Sequence, residues 1–183
     1  MSGTGRIASP DALRESLDRQ AITELIYQYC RAVDRLDPDL GAAIWHDGGK
    51  IDLGPLWRGT GREWMDFTCD IHRRQVLVHS HRISNVTIRI DGDQASSEAY
   101  LNATVRMYED EVLKQWTHWG RYIDQWSWRD GRWGIDVRQY IEDFAEVRDA
   151  SPTGVEAGKR DKSDLSYAVL KGNAASAMLR SEP

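Results

Sequence analysis

The segment V-H-S-H-R-I-S-N-V-T-I-R-I occupies residues 78–90 and is followed by the turn sequence D-G-D. Side chains alternate between the two sides of a strand, so a strand here is predicted to point His79, His81, Ile83 and Asn85 to one side. A face that carries two imidazoles and an amide beside an apolar residue either contacts water or lines a cavity in which polar groups act on a ligand. The function depends on which of these is true.

Three further strand-like segments follow, so that the pattern covers about 76–90, 94–108, 112–128 and 132–142, with D-G-D, E-D-E and R-D-G as turns. Sequential strands joined by short turns predict an antiparallel meander, which curls because sheets twist. Folding about D-G-D places His81 opposite about Ala103 and Asn85 opposite about Ala99. Periodicity does not decide which face is inward, because even-numbered apolar residues favour the opposite face as the packed one: Val76, Val78, Val86, Ile88 and Ile90.

The chain before the meander is predicted to be mainly helical. One apolar stripe with helical spacing runs through the first helix, which starts at Asp11: Ile22, Leu25, Ile26, Tyr29, Cys30 and Val33. Asp37 and Pro38 suit an N-cap and a first helical position, and they predict a second short helix. The buried face of this second helix is expected to be Leu40, Ile44 and Trp45.

Short strands are predicted at K-I-D-L and P-L-W-R, and T-G-R-E has the spacing of a capping box ahead of a third helix. That helix is expected to bury Trp64, Phe67 and Ile71. Helices followed by a curved antiparallel sheet define an α+β fold. We expect the first helix to cover the concave face of the sheet, which leaves a pocket between them.

Composition describes an ordinary globular protein of about one domain, with 183 residues of which 40% are hydrophobic and 29% charged. A net charge of −5 argues against a nucleic-acid partner, which needs clustered basic surface. No stretch approaches the roughly 20 apolar residues of a membrane span, and the N-terminus lacks the apolar core of a signal peptide. Cys30 and Cys69 lack metal-binding spacing and are expected to be reduced thiols of a cytoplasmic protein.

The chain divides into three parts by composition. Residues 1–10 are expected to form a flexible arm, residues 11–147 the domain, and residues 148–183 a polar tail that docks on the domain or on a neighbouring subunit. Eight tryptophans against two phenylalanines indicate a core that also presents an aromatic wall.

An acid and a histidine are the residues best suited to chemistry. Asp34 lies at the end of the first helix, five residues after Tyr29, and a helix that covers the sheet would direct both toward the pocket. A carboxylate that accepts from one imidazole N–H fixes the tautomer and favours protonation of the other nitrogen, so such a pair abstracts protons without a metal or an organic cofactor. Alternatively, Asp34 is a solvated helix-end residue and His79 and His81 lie on a wet face.

Other kinds of site have weaker support in the sequence. H-S-H could bind zinc with a third ligand such as His118 or Asp34, but the chain has neither H-E-x-x-H nor cysteine pairs, and we predict no metal. G-x-G-x-x-G, P-loop and G-x-S-x-G motifs are absent as well. A cofactor-free acid/base site is therefore the simplest interpretation.

Further candidates for substrate binding lie on the later strands. Trp116 and His118 are predicted to share one face of the third strand, and Trp119 and Arg121 the other. An inward Arg121 would bind a phenolate or stabilise an oxyanion, whereas an outward one would pair with an acid. The remaining candidates are Tyr100, Arg138 and Tyr140.

Four segments together resemble the SnoaL-like branch of the nuclear-transport-factor-2-like superfamily, over about residues 15–145. They are R-Q-A-I-T-E-L-I-Y-Q-Y-C-R-A-V-D-R-L-D, I-W-H-D-G-G-K-I-D-L, H-R-I-S-N-V-T-I-R-I-D-G-D-Q-A and G-R-Y-I-D-Q-W-S-W-R-D-G-R-W-G-I. The resemblance implies a cone in which a curved sheet surrounds a deep pocket capped by helices. Similar proteins include hexachlorocyclohexane dehydrochlorinase, bile acid 7α-dehydratase, scytalone dehydratase and cofactor-independent lyases of lignin-derived diaryl compounds.

The resemblance also implies roles for individual residues. The family aspartate falls on Asp34, the H-x-x-x-N motif falls on His81 and Asn85, and the dehydratase tyrosine falls on Tyr29. The dehydratase histidine aligns better with His79, although we favour His81 as the base. Homo-oligomers, often trimers, are usual among the similar dehydratases.

Together these features predict a cofactor-independent lyase that eliminates water or formaldehyde from a bulky hydroxylated aromatic substrate. His81 would remove a proton, Asp34 would orient it, and Tyr29 or Arg121 would support the leaving oxygen. An isomerase or polyketide-type cyclase using the same base is one alternative. A small-ligand binding protein or accessory subunit without catalytic activity is another.

Overall fold

The computed structural model describes residues 9–152 and 158–171. Helices α1, α2 and α3 span Pro10–Asp34, Pro38–Ala42 and Gly61–Gln75, and the short helix α4 spans Leu165–Leu170. Strands β1 and β2 span Trp45–Asp52 and Arg58–Thr60. The four long strands β3, β4, β5 and β6 span Val76–Asp91, Gln94–Glu109, Val112–Arg129 and Arg132–Asp149. The arm predicted for residues 1–10 lies mostly outside the described residues.

The predicted first helix is confirmed as α1. Ser9 caps its start by accepting a hydrogen bond from the Ala12 N–H, and Pro10 occupies the first turn, where a missing N–H costs nothing. The apolar stripe from Ile22 to Val33 is buried except at Leu25, which is partly buried. The helix ends at Asp34, shortly before Leu36 adopts a left-handed φ of 51°.

The second helix is shorter than predicted. Asp37 caps it by accepting from the Leu40 N–H at 3.2 Å, as the sequence indicated, but the helix ends at Ala42. Ile44 is therefore buried in the turn after the helix, and Trp45 begins β1. The error arose because apolar residues that pack from an irregular segment mimic a helical stripe.

The third helix has the predicted capping box, in which Thr60 and Glu63 exchange hydrogen bonds. Trp64 is buried, but Phe67 is exposed and stacks on Trp57 with ring centroids 4.6 Å apart. The strand predicted at P-L-W-R begins only at its last residue, Arg58.

The six strands form one curved sheet that does not close, in the order β2-β1-β6-β5-β4-β3. The α+β class and the antiparallel meander of β3 to β6 are confirmed. Strand β1 adds to the sheet parallel to β6, and β6 extends to Asp149 instead of ending near residue 142. Helix α1 packs across the concave face, where Tyr29 contacts Tyr122 edge to face at 5.5 Å.

A β-bulge divides β3 into two halves. Ser84 pairs with Tyr100 and Thr87 with Glu98, so β3 contains one more residue than β4 between these pairs. Asn85 lies in the bulge with a φ of 49°. The extra residue shifts the alternation of side chains by one. Before the bulge, the odd-numbered His81 and Ile83 face the concave side. After it, the concave side is occupied by even-numbered residues, namely Val86, Ile88 and Ile90.

The described part of the tail packs on the domain of the same chain. Arg31 of α1 donates to the Ser166 hydroxyl and lies over the Tyr167 ring, and the Tyr167 hydroxyl donates to Asp37 at 2.8 Å. Residues 153–157 and 172–183 of the predicted tail lie outside the described residues. Among the helices that the structure describes, none has the length and apolar content to span a bilayer.

Candidate active site

The last residue of α1 contacts the first half of β3 through two hydrogen bonds. The Nδ1 of His81 donates to Asp34 Oδ1 at 2.7 Å, and the backbone N–H of His81 donates to Asp34 Oδ2 at 3.1 Å. Only 10% of the His81 side chain and 15% of the Asp34 side chain are exposed. Because the carboxylate can only accept, the proton of a neutral His81 is on Nδ1, and Nε2 is left as a proton acceptor.

A cavity of about 190 Å³ lies between the helices and the concave face of the sheet. Its wall includes His81 and four large aromatic side chains, which are Tyr29, Trp64, Tyr122 and Tyr140. The Tyr29 hydroxyl accepts a hydrogen bond from Trp64 Nε1 at 2.8 Å and retains its own proton for a ligand. Burial raises the pKa of Tyr29, although the positive charge of Arg138 acts against this shift. Tyr29 is therefore a phenol at neutral pH.

Arg138 lies behind the aromatic wall and is not part of the cavity lining. Its Nε and Nη2 donate to the two carboxylate oxygens of Asp124, each at 2.7 Å, and both side chains are fully buried. The guanidinium carbon is 4.4 Å from the Tyr29 ring centre and 4.2 Å from that of Tyr122. Burial opposes its charge, but Asp124 outweighs this effect and raises the pKa of Arg138. The pair positions two aromatic rings of the cavity from below.

His79 is buried beside the Asp34–His81 pair and not in the cavity lining. Its Nδ1 lies 3.0 Å from Nδ1 of His72, at the end of α3, while its Nε2 is buried without a hydrogen-bond partner in the described residues. Burial lowers the pKa of His79 to about 3 and that of His72 to about 4, and the neighbouring histidines add to both shifts. Both imidazoles are therefore neutral at pH 7.

Three of these residues have the geometry to hold a metal ion. Asp34, His79 and His81 each offer one ligand atom, and these atoms lie within 4.8 Å of one another. Carboxylate and imidazole ligands are compatible with zinc. A metal there would compete for the Asp34 carboxylate, which already accepts the Nδ1 proton of His81.

A second carboxylate–imidazole contact lies at the other side of the cavity. The Nδ1 of His118, on β5, is 2.7 Å from Glu142 Oε2, on β6, and both residues line the cavity. The Trp116 ring stacks on His118 at 6.2 Å and donates its indole N–H to Glu109. The predicted common face of Trp116 and His118 is thereby confirmed, although only His118 reaches the cavity lining.

Four predicted substrate-binding residues lie away from the cavity. Arg121 points to the convex face, where it binds Glu98 and Asp143. Trp119 stacks there on Phe144 at 4.7 Å. The other two, Tyr100 and Asn85, are exposed. The prediction that these four residues line the pocket was wrong. Arg121, Trp119 and Tyr100 occupy strand positions that alternate with the inward-facing ones. Asn85 lies in the bulge, which turns its side chain away from the concave face.

Sequence reasoning missed two polar residues of the site. Glu142 follows Tyr140 at a spacing of two on β6, so the two share a face, but the strand was predicted to stop at that point. His72 lies on α3, and its contact with His79 joins two elements whose packing is not visible in either segment alone. The period of two along the last strand could have identified Glu142.

Residues 14–139 match the family model for the SnoaL-like domain. A proposed scytalone dehydratase from Novosphingobium aromaticivorans is similar in structure, with 22% identity, a TM-score of 0.64, and coverage of 78% of this chain and 97% of that one. A type 2 hexachlorocyclohexane dehydrochlorinase is similar at 17% identity and a TM-score of 0.70, over 78% of this chain and 99% of that one. No curated protein matches the chain. The family match shows that the chain belongs to the SnoaL-like family, and the structural matches confirm the predicted fold of a curved sheet capped by helices.

Proposed function

Because the chain belongs to the SnoaL-like family, we propose that it is a cofactor-independent lyase acting on a bulky hydroxylated aromatic substrate, such as a lignin-derived diaryl compound. The reaction eliminates water, or formaldehyde from a hydroxymethyl group. The observation that carries this proposal is the contact between Asp34 and His81 at the wall of an aromatic-lined cavity. Two fold neighbours are named as a dehydratase and a dehydrochlorinase, and both names denote eliminations.

In the dehydration, Nε2 of His81 takes a proton from a carbon next to the carbon that bears the hydroxyl group. The electron pair of the C–H bond forms the double bond while the C–O bond breaks. Tyr29 donates its phenolic proton to the departing oxygen, which leaves as water. Asp34 stabilises the imidazolium of His81 until that proton returns to Tyr29 through solvent.

In the formaldehyde release, His81 instead takes the proton of a hydroxymethyl O–H group. The bond between the hydroxymethyl carbon and its neighbour breaks, and formaldehyde leaves. The electron pair stays on the neighbouring carbon, where it either takes up a proton or expels an adjacent hydroxyl group as water with the Tyr29 proton. Both reactions use the same base, so the substrate decides between them.

The cavity lining supports an aromatic substrate. Four aromatic side chains and several aliphatic ones surround His81, and aromatic rings favour flat apolar ligands through stacked and edge-to-face contacts. The polar groups are few and lie at defined points of the wall, as in other small-molecule sites.

The protein is also proposed to form a homo-oligomer, with a trimer as the expected form by analogy. The convex face carries exposed apolar side chains in one area, namely Tyr100, Ile141 and Phe144, and the last of these stacks on Trp119. Size-exclusion chromatography with light scattering would measure the mass of the protein in solution. A monomer at micromolar concentration would contradict this part of the proposal.

The test is a panel of hydroxylated diaryl propanediols analysed by mass spectrometry, which distinguishes the loss of water from the loss of formaldehyde. We expect turnover by the wild-type protein and its loss, by roughly 10³-fold, in His81→Ala. Arg121→Ala is the matched control, since that side chain is on the convex face, and its activity should stay within about twofold.

Turnover is expected to persist in EDTA, because no step of the proposed reaction uses a metal. Abolition by EDTA with recovery in zinc would contradict the acid/base mechanism and assign Asp34, His79 and His81 to a metal site. Full activity of His81→Ala on a confirmed substrate would refute the base assignment and move it to His79.

A further inference from the structure

The contact between His118 and Glu142 repeats the chemistry of the contact between His81 and Asp34. In each pair the carboxylate binds Nδ1 of the imidazole, at 2.7 Å in both cases. Among the residues that the structure describes, Nε2 of neither imidazole has a hydrogen-bond partner. Each pair therefore presents one unprotonated nitrogen as an acceptor when the imidazole is neutral.

The two imidazoles are held at a fixed separation by the sheet. His81 pairs with Ala103 on β4, and Ala103 pairs with His118 on β5, so the histidines are two strand spacings apart. This corresponds to about 10 Å between their Cα atoms. The methyl group of Ala103 leaves the space between the two imidazoles open, and all three residues line the same cavity.

The surroundings of the His118–Glu142 pair differ from those of the deeper pair. His118 is 31% exposed and Glu142 is 45% exposed, which places this pair at the mouth of the cavity. The Tyr140 hydroxyl donates to the same carboxylate oxygen at 3.4 Å. A carboxylate–imidazole contact with this exposure contributes little to folding, so stability does not explain its position in the cavity wall.

We propose that His118 and Glu142 form a subsite for a phenolic hydroxyl group of the ligand, while the reacting end of the same ligand lies at His81. This assignment deepens the proposed function and rests on it for the position of the reacting end. His118 Nε2 accepts a hydrogen bond from the phenol O–H. The imidazole ring of His118 is held in place by the hydrogen bond to Glu142 and by the Trp116 ring stacked on its face. When the phenol proton moves to Nε2, the imidazolium beside Glu142 holds the phenolate oxygen by one N–H donor.

The charge of the subsite selects the chemical class of this group. A ligand carboxylate or phosphate would meet the negative Glu142, and the acceptor nitrogen of neutral His118 offers it no proton. A neutral hydroxyl group supplies the donor that the nitrogen lacks, and the aromatic wall favours a hydroxyl carried on a ring. The Cα separation of about 10 Å is of the same order as the length of one hydroxylated aromatic ring with its substituent.

The test uses the ligand pair 4-nitrophenol and 4-nitroanisole, which differ only in methylation of the hydroxyl group. Binding is measured by titration at pH 7, above the ordinary imidazole pKa of about 6.5. Absorbance follows the phenol, whose colour reports ionisation, and tryptophan fluorescence follows both ligands. We expect the wild-type protein to bind the phenol at least about tenfold more tightly than the ether. His118→Ala should remove this preference and leave the affinity for the ether within about twofold.

Glu142→Gln is the second variant, because it keeps the size of the side chain and a hydrogen bond to His118 while removing the charge. It should reduce the preference for the phenol by about threefold to tenfold. Arg121→Ala, on the convex face, is the matched control and should keep the wild-type preference.

Three results would overturn the proposal: no preference for the phenol in the wild-type protein, a preference that survives in His118→Ala, or a preference lost in His81→Ala and kept in His118→Ala. These binding results do not depend on turnover. Failure of the diaryl panel with an intact phenol preference would refute the elimination reaction alone, whereas turnover without this preference would refute the subsite alone.

Discussion

Arg138 on the concave face and Arg121 on the convex face both bind carboxylates, but their surroundings differ completely. Arg138 and Asp124 have no exposed side-chain surface and lie behind the aromatic rings of the cavity. Arg121 keeps 27% of its side-chain surface exposed and forms ion pairs with two acids, Glu98 and Asp143. A charged pair on one face of the sheet is thus part of the support of the site, while on the other face it is part of the hydrated surface.

The comparison shows that the two faces of one sheet respond differently to the same substitution. A buried charge that loses its partner is left without solvent, whereas an exposed charge regains water. The contribution of an arginine to stability is therefore set by the side of the sheet on which it lies and not by its residue type. Matched substitutions on the two faces measure this difference directly.

The largest difference is expected for the two arginines. Arg138→Met should lower the free energy of unfolding by about 3–5 kcal/mol, because it leaves the buried Asp124 carboxylate without a cation to pair with. Arg121→Met should lower it by about 1 kcal/mol or less. Urea denaturation followed by tryptophan fluorescence measures both values, and equal losses would show that burial does not separate the two pairs.

The next difference is in the dependence of stability on pH. The folded-state pKa values of His79 and His72, about 3 and about 4, lie below the unfolded value of about 6.5. The unfolded chain therefore binds more protons between these limits, and stability falls as pH falls below about 6.5. One such histidine contributes about 2 kcal/mol of this loss between pH 6.5 and 4.5.

His79→Gln should accordingly flatten the decline of stability in acid, measured by denaturation at several pH values. The matched control is Arg82→Gln, on the convex side of the same strand, which should keep the wild-type decline. An unchanged slope in His79→Gln would mean that this imidazole is solvated in the folded protein.

A smaller effect is expected from the two acids whose partners face opposite sides of the sheet. Asp34→Asn should reduce kcat/KM on the confirmed diaryl substrate by about 10²-fold, because an amide orients His81 but does not stabilise its imidazolium. Glu98→Gln removes a partner of Arg121 and should change kcat/KM by less than about twofold. Comparable losses of kcat/KM in both variants would contradict the proposed role of Asp34 in supporting His81.

The smallest effect concerns neighbouring residues of β5. A Cβ on Gly120 would lie 2.5 Å from the carbonyl oxygen of Ile141 and 2.6 Å from the Tyr140 ring. Gly120→Ala should therefore lower the free energy of unfolding by about 1–3 kcal/mol. Trp119→Ala, on the convex face, should cost about 1 kcal/mol through the lost stacking on Phe144. Thermal denaturation in a series of urea concentrations measures both losses of stability. A larger loss in Trp119→Ala than in Gly120→Ala would contradict the tight packing at Gly120.

Local periodicity was sufficient for much of this architecture. The stripe from Ile22 to Val33 predicted α1, and folding about D-G-D placed His81 opposite about Ala103, its observed partner, although the bulge contributes one residue to this register. Asp34 lies at the end of that helix, so its approach to a sheet covered by the helix could be expected from the sequence. The catalytic role of this pair is still a prediction.

The inward side of the sheet could not be derived in the same way. Arg121 and His118 are three residues apart on β5, and a choice between their faces requires knowledge of where α1 packs. The pairing of Arg138 with Asp124 depends on the register of β5 against β6, which includes two irregularities. The bulge at Asn85 has no signature in the alternating pattern, and it reversed the assignment of that residue.

The bulge at Asn85 also separates two tasks within a single strand. The first half supplies His81 to the cavity and places His79 beside the Asp34–His81 pair, and residues 86–90 supply aliphatic groups to the contact with α1. Without the extra residue, one of these sets would face outward. The first half of the strand can therefore accept new polar side chains during evolution while the second half keeps the helix in place, so a change of substrate need not cost the fold.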